Sequence, residues 1–349
     1  MAYTTVDNPE LYFQTKLYTG NGSAQSFTLD GSEDMQPDWV WIKPRSFDDN
    51  HILVDAVRGT NKILRANLEN AESTLTTMLT AFGSDGFTTG DNDNVARNSA
   101  TFVAWNWKAS GSTSSDSNGS ITSTISVNTT AGFSIVTWTG NGSSGATIGH
   151  GLGVKPRMII SKRRDSTSQW TVYEAINGAT KYMTLNQTDA TSSATSRWND
   201  TEPTASVFSV GNSAEVNGSG GTYIAYCFAD IKGYQKIGSY KGNGNADGAF
   251  AYTGFRPAWI MIKKSSGTEN WSMYDAKRNT NGDSDTLPLN ADNNSNENGN
   301  TGKNMDILSN GVKMKTSNGE LNGSGDTYIY MAFAKSPFVN SNGVPNNAR

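Results

Sequence analysis

A fourteen-residue register occurs three times in this chain. Pro37-Asp-Trp-Val-Trp-Ile-Lys43 leads to His51-Ile-Leu-Val-Asp-Ala56. Pro156-Arg-Met-Ile-Ile-Ser-Lys162 leads to Trp170-Thr-Val-Tyr-Glu-Ala175, and Pro257-Ala-Trp-Ile-Met-Ile-Lys263 leads to Trp271-Ser-Met-Tyr-Asp-Ala276. The step from the proline to the head of the second segment is 14 in each copy (51−37, 170−156, 271−257). Chance does not hold such a register three times with this much shared chemistry. The chain is therefore a threefold internal repeat, and each repeat is one structural unit.

Each unit opens with a strand ending in Gly-Asn-Gly: Thr15 to Gly22, Ile135 to Gly142 and Ile237 to Gly244, with an aromatic two residues before the motif (Tyr18, Trp138, Tyr240). Asn-Gly marks a tight turn because both residues tolerate positive φ. In the Pro-led strand, Trp39, Trp41 and Lys43 alternate with Val40 and Ile42, which predicts burial of both faces. Leu64-Arg-Ala-Asn67, Met183-Thr-Leu-Asn186 and Leu287-Pro-Leu-Asn290 form the next common segment. A polar loop of variable length follows (70–80, 187–200 and 291–302). The unit closes on Thr101-Phe-Val-Ala-Trp-Asn-Trp-Lys108, Thr222-Tyr-Ile-Ala-Tyr-Cys-Phe-Ala229 or Thr327-Tyr-Ile-Tyr-Met-Ala-Phe-Ala334.

Many short strands with turn signals between them predict an all-β chain of three tandem β-sandwich, jelly-roll-like repeats of roughly a hundred residues. The expected boundaries are 1–110 with a short N-terminal arm, 111–232 with a Ser/Thr-rich lead-in, and 233–349 with a polar tail. Composition agrees. Charged residues are only 17%, and Ser, Thr, Asn and 36 Gly fill the deficit, which disfavours helix. Nine Trp, 13 Tyr and 13 Phe argue against disorder.

The net charge of −4, with no basic run, makes nucleic acid an unexpected partner. One cysteine, Cys227, allows no internal disulfide. The N-terminal residues carry no basic and apolar secretory pattern, and no apolar run approaches the ~20 residues of a membrane span. No membrane insertion is expected.

Candidate chemistry is sparse. Asp55, Glu174 and Asp275 recur at one position. A recurring carboxylate can be a general acid or base, but it can equally cap a turn or pair with Lys43, Lys162 or Lys263, and the structural role is favoured. Asp91-Asn-Asp-Asn94 and Asp283-Ser-Asp285 have spaced oxygen ligands but lack the glycine and distal glutamate of a calcium loop, so polar turns are expected. Two histidines and one cysteine cannot build a typical zinc site. His51 stands where the other copies have Trp, which makes it a packing or rim residue, and Cys227 is read as a small buried side chain. No nucleotide or hydrolase motif occurs in its proper context, and no cofactor is expected. Aromatics on turns remain, because sugar rings stack on Trp and Tyr faces. The candidate receptor contacts are Trp170, Trp198 and Trp271, with Asp55, Glu174 and Asp275 beside them. Trp198, in a polar loop, is the least core-like.

The motifs Tyr18-Thr-Gly-Asn-Gly22, Pro37-Asp-Trp-Val-Trp-Ile-Lys43, Ser84-Asp-Gly-Phe87 and Phe102-Val-Ala-Trp-Asn-Trp-Lys-Ala109 resemble a repeat domain of tail-fibre and other virion proteins of marine tailed bacteriophages. The resemblance runs from about Tyr12 to Arg349. It implies a non-enzymatic virion protein, made in the host bacterial cytoplasm and assembled with other virion proteins. The implied role is a tail-associated protein that contacts host-surface glycan or protein as a homotrimer or other homo-oligomer. A capsid decoration protein is the alternative. A glycan depolymerase is the lesser one, since paired carboxylates at a fixed spacing are not evident.

Overall fold

A computed structural model describes residues 3–278, 287–297 and 302–346. The chain is all-β. Each repeat is built on four antiparallel strands in one order: opening, closing, Pro-led, third. In the first repeat these are Phe13–Thr19, Thr101–Trp107, Trp39–Pro44 and Ile52–Asp55. In the second they are Phe133–Thr139, Thr222–Phe228, Met158–Arg163 and Trp170–Glu174. In the third they are Gln235–Lys241, Thr327–Pro337, Phe255–Lys264 and Trp271–Asp275. A small antiparallel sheet lies outside each one, for example Gln25–Phe27 with Gly86–Thr89 and Leu79–Gly83.

The Pro-led strands are buried on both faces, as their composition predicts. Along Trp39–Pro44, Val40 and Ile42 pack outward with Phe87 of the small sheet, while Trp39 and Trp41 pack inward. The inward side chains of all three repeats share one hydrophobic interior. Successive repeats are therefore not separate sandwiches on a string; their inner sheets face one another around a pseudo-threefold centre. Trp39 stacks on Tyr226 between repeats one and two (4.1 Å, 17°). Phe228 meets Phe333 edge-on between repeats two and three (5.9 Å), and Trp107 meets Trp259 edge-on between repeats three and one (5.7 Å, 89°). Such pairs add about 0.5–1.5 kcal/mol each beyond the area they bury.

Each Gly-Asn-Gly turn presses on a one-turn helix just before the closing strand. A Cβ on Gly20, Gly140 or Gly242 would sit 2.2–2.4 Å from a carbonyl oxygen there. The Ser/Thr-rich lead-in to the second repeat forms strands Ser114–Asp116 and Ser123–Asn128, which extend the second sheet past its opening strand. The termini also engage the body. The Tyr3 hydroxyl donates to the Gly254 carbonyl (2.7 Å), and Asp7 accepts from the Ser341 backbone N–H (2.7 Å).

Candidate functional site

The three variable polar loops are the fasteners of the ring. Loop one, with Glu69 just before it, docks on repeat two, loop two on repeat three and loop three on repeat one, each through two backbone hydrogen bonds at equivalent positions. Glu69, Thr188 and Asn294 carbonyls accept from Ser168, Glu269 and Asp49 N–H groups (2.8, 2.9 and 3.0 Å). Glu72, Thr191 and Glu297 N–H groups donate to Arg164, Ser265 and Arg45 carbonyls (2.7, 3.1 and 2.9 Å). The same Glu69, Thr188 and Asn294 carbonyls accept from the buried ammonium groups of Lys162, Lys263 and Lys43 (3.1, 3.1 and 3.2 Å).

This geometry corrects the third-copy alignment. Asn67 and Asn186 side chains accept from the His51 and Trp170 backbone N–H groups, and in the third copy Asp292 does so from Trp271. The segment matching Leu64–Asn67 is therefore 289–292, two residues later than Leu287–Asn290. Residues 298–301 of the third loop, and Asp283-Ser-Asp285, lie outside the described residues.

All six residues expected at a receptor surface are buried: Trp170, Trp198, Trp271, Asp55, Glu174 and Asp275. As surface contacts they are corrected. Trp170 and Trp271 donate their indole N–H across the seams to the Arg65 and Thr184 carbonyls (2.9 and 3.0 Å). His51 does the same job with Nε2, which lies 2.9 Å from the Asn290 carbonyl, while its Nδ1 accepts from Trp41. Those partners fix the tautomer. Trp198 ends the short helix Thr195–Trp198 and packs edge-on against Tyr173 and Phe208, so an aromatic in a polar loop proves to be core. Asp91–Asn94 turns into the helix Asp93–Ala96, which Asn92 caps. Cys227 is buried, and burial raises its thiol pKa.

The recurring carboxylates cap turns, Asp55 and Asp275 also close seams, and the three do not pair with Lys43, Lys162 or Lys263. Asp55 accepts from the Arg58 N–H (3.0 Å) and guanidinium (2.6 Å), and from the Tyr226 hydroxyl of repeat two (2.9 Å). Asp275 pairs with Arg278 and accepts from the Trp105 indole of repeat one (3.0 Å). Glu72 and Glu297 extend these networks, each bridging the local arginine to Arg164 or Arg45 of the neighbouring repeat. Burial pushes the Glu72 carboxyl up, but Arg164 and Arg58 outweigh it and hold it below its ordinary range. The seam between repeats two and three departs from this pattern. Asn177 replaces the arginine, Thr191 replaces the glutamate, and Met331 stands where Trp105 and Tyr226 donate. Glu174 accepts from the Ile176 and Asn177 N–H groups (2.7 and 3.0 Å), and burial raises its pKa.

On the outside of that same seam lies a groove of about 520 Å³. One wall is Phe250–Tyr252 of the small third-repeat sheet, with Phe250 41% and Tyr252 53% exposed. Register places Phe250 and Tyr252 where the first repeat has Ser26 and Thr28 and the second has Thr147 and Gly149. In the second repeat that face is covered by the lead-in, and a Cβ on Gly149 would strike the Asp116 carboxyl. In the third it is open and aromatic. Tyr330 supports it from beneath. Its hydroxyl donates to the Tyr252 carbonyl (2.5 Å), and its ring lies where a Cβ on Gly238 would be (2.4 Å from the hydroxyl oxygen). Opposite stand Ile176 and Arg157 of repeat two, with Asp230 (3.6 Å from Arg157), Lys236 and Lys241.

A family described as a domain of unknown function, DUF7483, matches residues 8–337. The chain belongs to the DUF7483 family. No curated protein and no solved structure matches it. The DUF7483 match spans all three repeats, in accord with a single body rather than three modules. Within this DUF7483 chain, the seam groove is the place where an exposed aromatic pair departs from what the other two copies carry.

Proposed function

We propose that this chain is a non-enzymatic bacteriophage virion protein, tail-associated, that contacts the host surface through glycan. The observation that carries the reading is the exposed pair Phe250 and Tyr252. The other repeats fold with small residues at both positions, so the fold does not require aromatics there. Exposed aromatic faces beside polar groups are what sugar rings stack on, and exposed apolar patches rimmed by polar residues mark binding sites. The buried carboxylates support a structural role, because each is committed to backbone N–H groups, an arginine or both. A single shallow site gives weak affinity. We expect several copies on the virion, as a homotrimer or other homo-oligomer, to multiply it.

The test is immunogold labelling of intact virions with an antibody against the chain. Gold on the tail is expected. Gold over the head would replace adhesion with capsid decoration.

A further inference from the structure

Resting on the glycan reading, we infer that the groove between repeats two and three takes a carboxylate-bearing sugar. Three cations line it, Arg157, Lys236 and Lys241, against one carboxylate, Asp230, in a chain whose net charge is −4. Asp230 is already engaged. It accepts the Ile237 N–H (2.7 Å) and sits beside the Arg157 guanidinium, which leaves the groove a cationic balance. A sugar carboxylate is the complementary charge.

The floor adds hydrogen-bonding capacity. The opening strand Gln235–Lys241 is the edge of its sheet. Ile237 turns its N–H away from the closing strand toward Asp230, so Ser239, two residues on, presents its backbone groups on the same side. In the second repeat that edge is paired by Ser123–Asn128. A strand edge supplying donors and acceptors, an aromatic wall and a cationic rim together suit the hydroxyls, the ring face and the carboxylate of one acidic sugar unit. The volume lies within the roughly 300–1,000 Å³ of small-molecule sites.

The experiment is a glycan array of matched pairs, probed with the full chain: oligogalacturonides against their methyl esters, and sialylated against asialo glycans. Within at least one pair the acid should bind at least tenfold more tightly, with the preference shrinking as salt rises. Lys236→Gln with Lys241→Gln should abolish that preference and leave the neutral partner's binding unchanged. Phe250→Ser with Tyr252→Thr, the first repeat's own residues, should lose binding of both partners by tenfold or more while the melting temperature stays within a few degrees. Equal binding of acid and neutral partners at every salt concentration would overturn the acidic class and leave the glycan reading standing. Binding of neither partner in any pair would overturn both. Binding that survives the aromatic substitutions, or dimerisation through the strand edge, would show that the groove is not the sugar site.

Discussion

Tyr226 of the second repeat donates its hydroxyl to Asp55 of the first at 2.9 Å, inside the protein, where Arg58 also grips that carboxylate. Trp105 and Asp275 repeat the contact between repeats one and three. Two of three seams are thus closed by a buried ion pair with a donor from the neighbouring repeat, and the third, at Glu174, is not.

This asymmetry sets an order of mutational cost. Asp55→Asn and Asp275→Asn each take from a buried guanidinium the carboxylate nearest to it, leaving Glu72 or Glu297 as its remaining ion pair, and should cost about 3 kcal/mol, the lower end for breaking a buried pair. Tyr226→Phe should cost about 1.5–3 kcal/mol, the worth of a hydrogen bond to a charged group. Glu174→Gln, with no cation to strand, should cost about 1 kcal/mol. Urea unfolding measures all four. Equal losses at the three acid positions would contradict the seam account.

His51 and His150 are held below their ordinary pKa, chiefly by burial. The unfolded chain therefore takes up protons near pH 6.5 that the folded chain refuses, so each histidine's contribution to stability is full above that pH and falls below it. Each histidine contributes a slope of at most about 1.4 kcal/mol per pH unit. Burial raises several carboxyls, including Asp292 to about 6, and these act with the opposite sign between pH 4 and 6. The difference between wild type and His51→Gln isolates the histidine. The variant should lose stability less steeply from pH 6.5 to 5, and parallel curves would contradict this.

Burial also pulls Lys43, Lys162 and Lys263 down to about 8. Between that value and about 10.4 the unfolded chain binds more protons, so stability should rise with pH. The window is pH 8 to 9.5, below the titration of unfolded tyrosines. The Cys227 thiol, which burial keeps protonated in the folded chain, acts there with the opposite sign and is common to wild type and variant, so their difference isolates the lysine. Each lysine adds up to about 1.4 kcal/mol per unit. Lys162→Met should flatten the rise by one lysine's share, and an unchanged slope would contradict the assignment.

The shared interior predicts cooperativity. Phe133, Ile160, Trp170, Tyr226 and Phe228 of the second repeat face the other two repeats. Residues 111–232 expressed alone would expose them, at about 1.5–3 kcal/mol for each large side chain. That fragment should lack a cooperative melt, whereas the full chain should show one transition by calorimetry. Three independent transitions would sink the single-core arrangement.

Much of this was legible in the sequence. The fourteen-residue register located the Pro-led and third strands, and apolar residues at both parities of Trp39–Pro44 announced burial of both faces. Periodicity reports that a face is buried, not what buries it, so the shared interior was not readable. The polar neighbours of Trp198 suggest an exposed ring, but packing, not neighbourhood, decides burial. Leu287 and Leu289 share a strand parity, which hid the two-residue slip.

The groove was hidden for a related reason. From the Asn of Gly-Asn-Gly to the inward residue of the small sheet the count is six to Phe27, seven to Ile148 and eight to Ala251. Each added residue reverses the face assigned from the motif, so Phe250 and Tyr252 did not align with Ser26 and Thr28 until the register was known.

The central claim is that the aromatic pair on the third repeat is there to hold a surface sugar. The direct measurement is binding of purified bacterial surface polysaccharides to the intact chain and to its Phe250→Ser/Tyr252→Thr variant. The account predicts saturable binding by the wild-type chain and at least tenfold weaker binding by an equally stable variant. Equal binding by the two, or none by either, would contradict it.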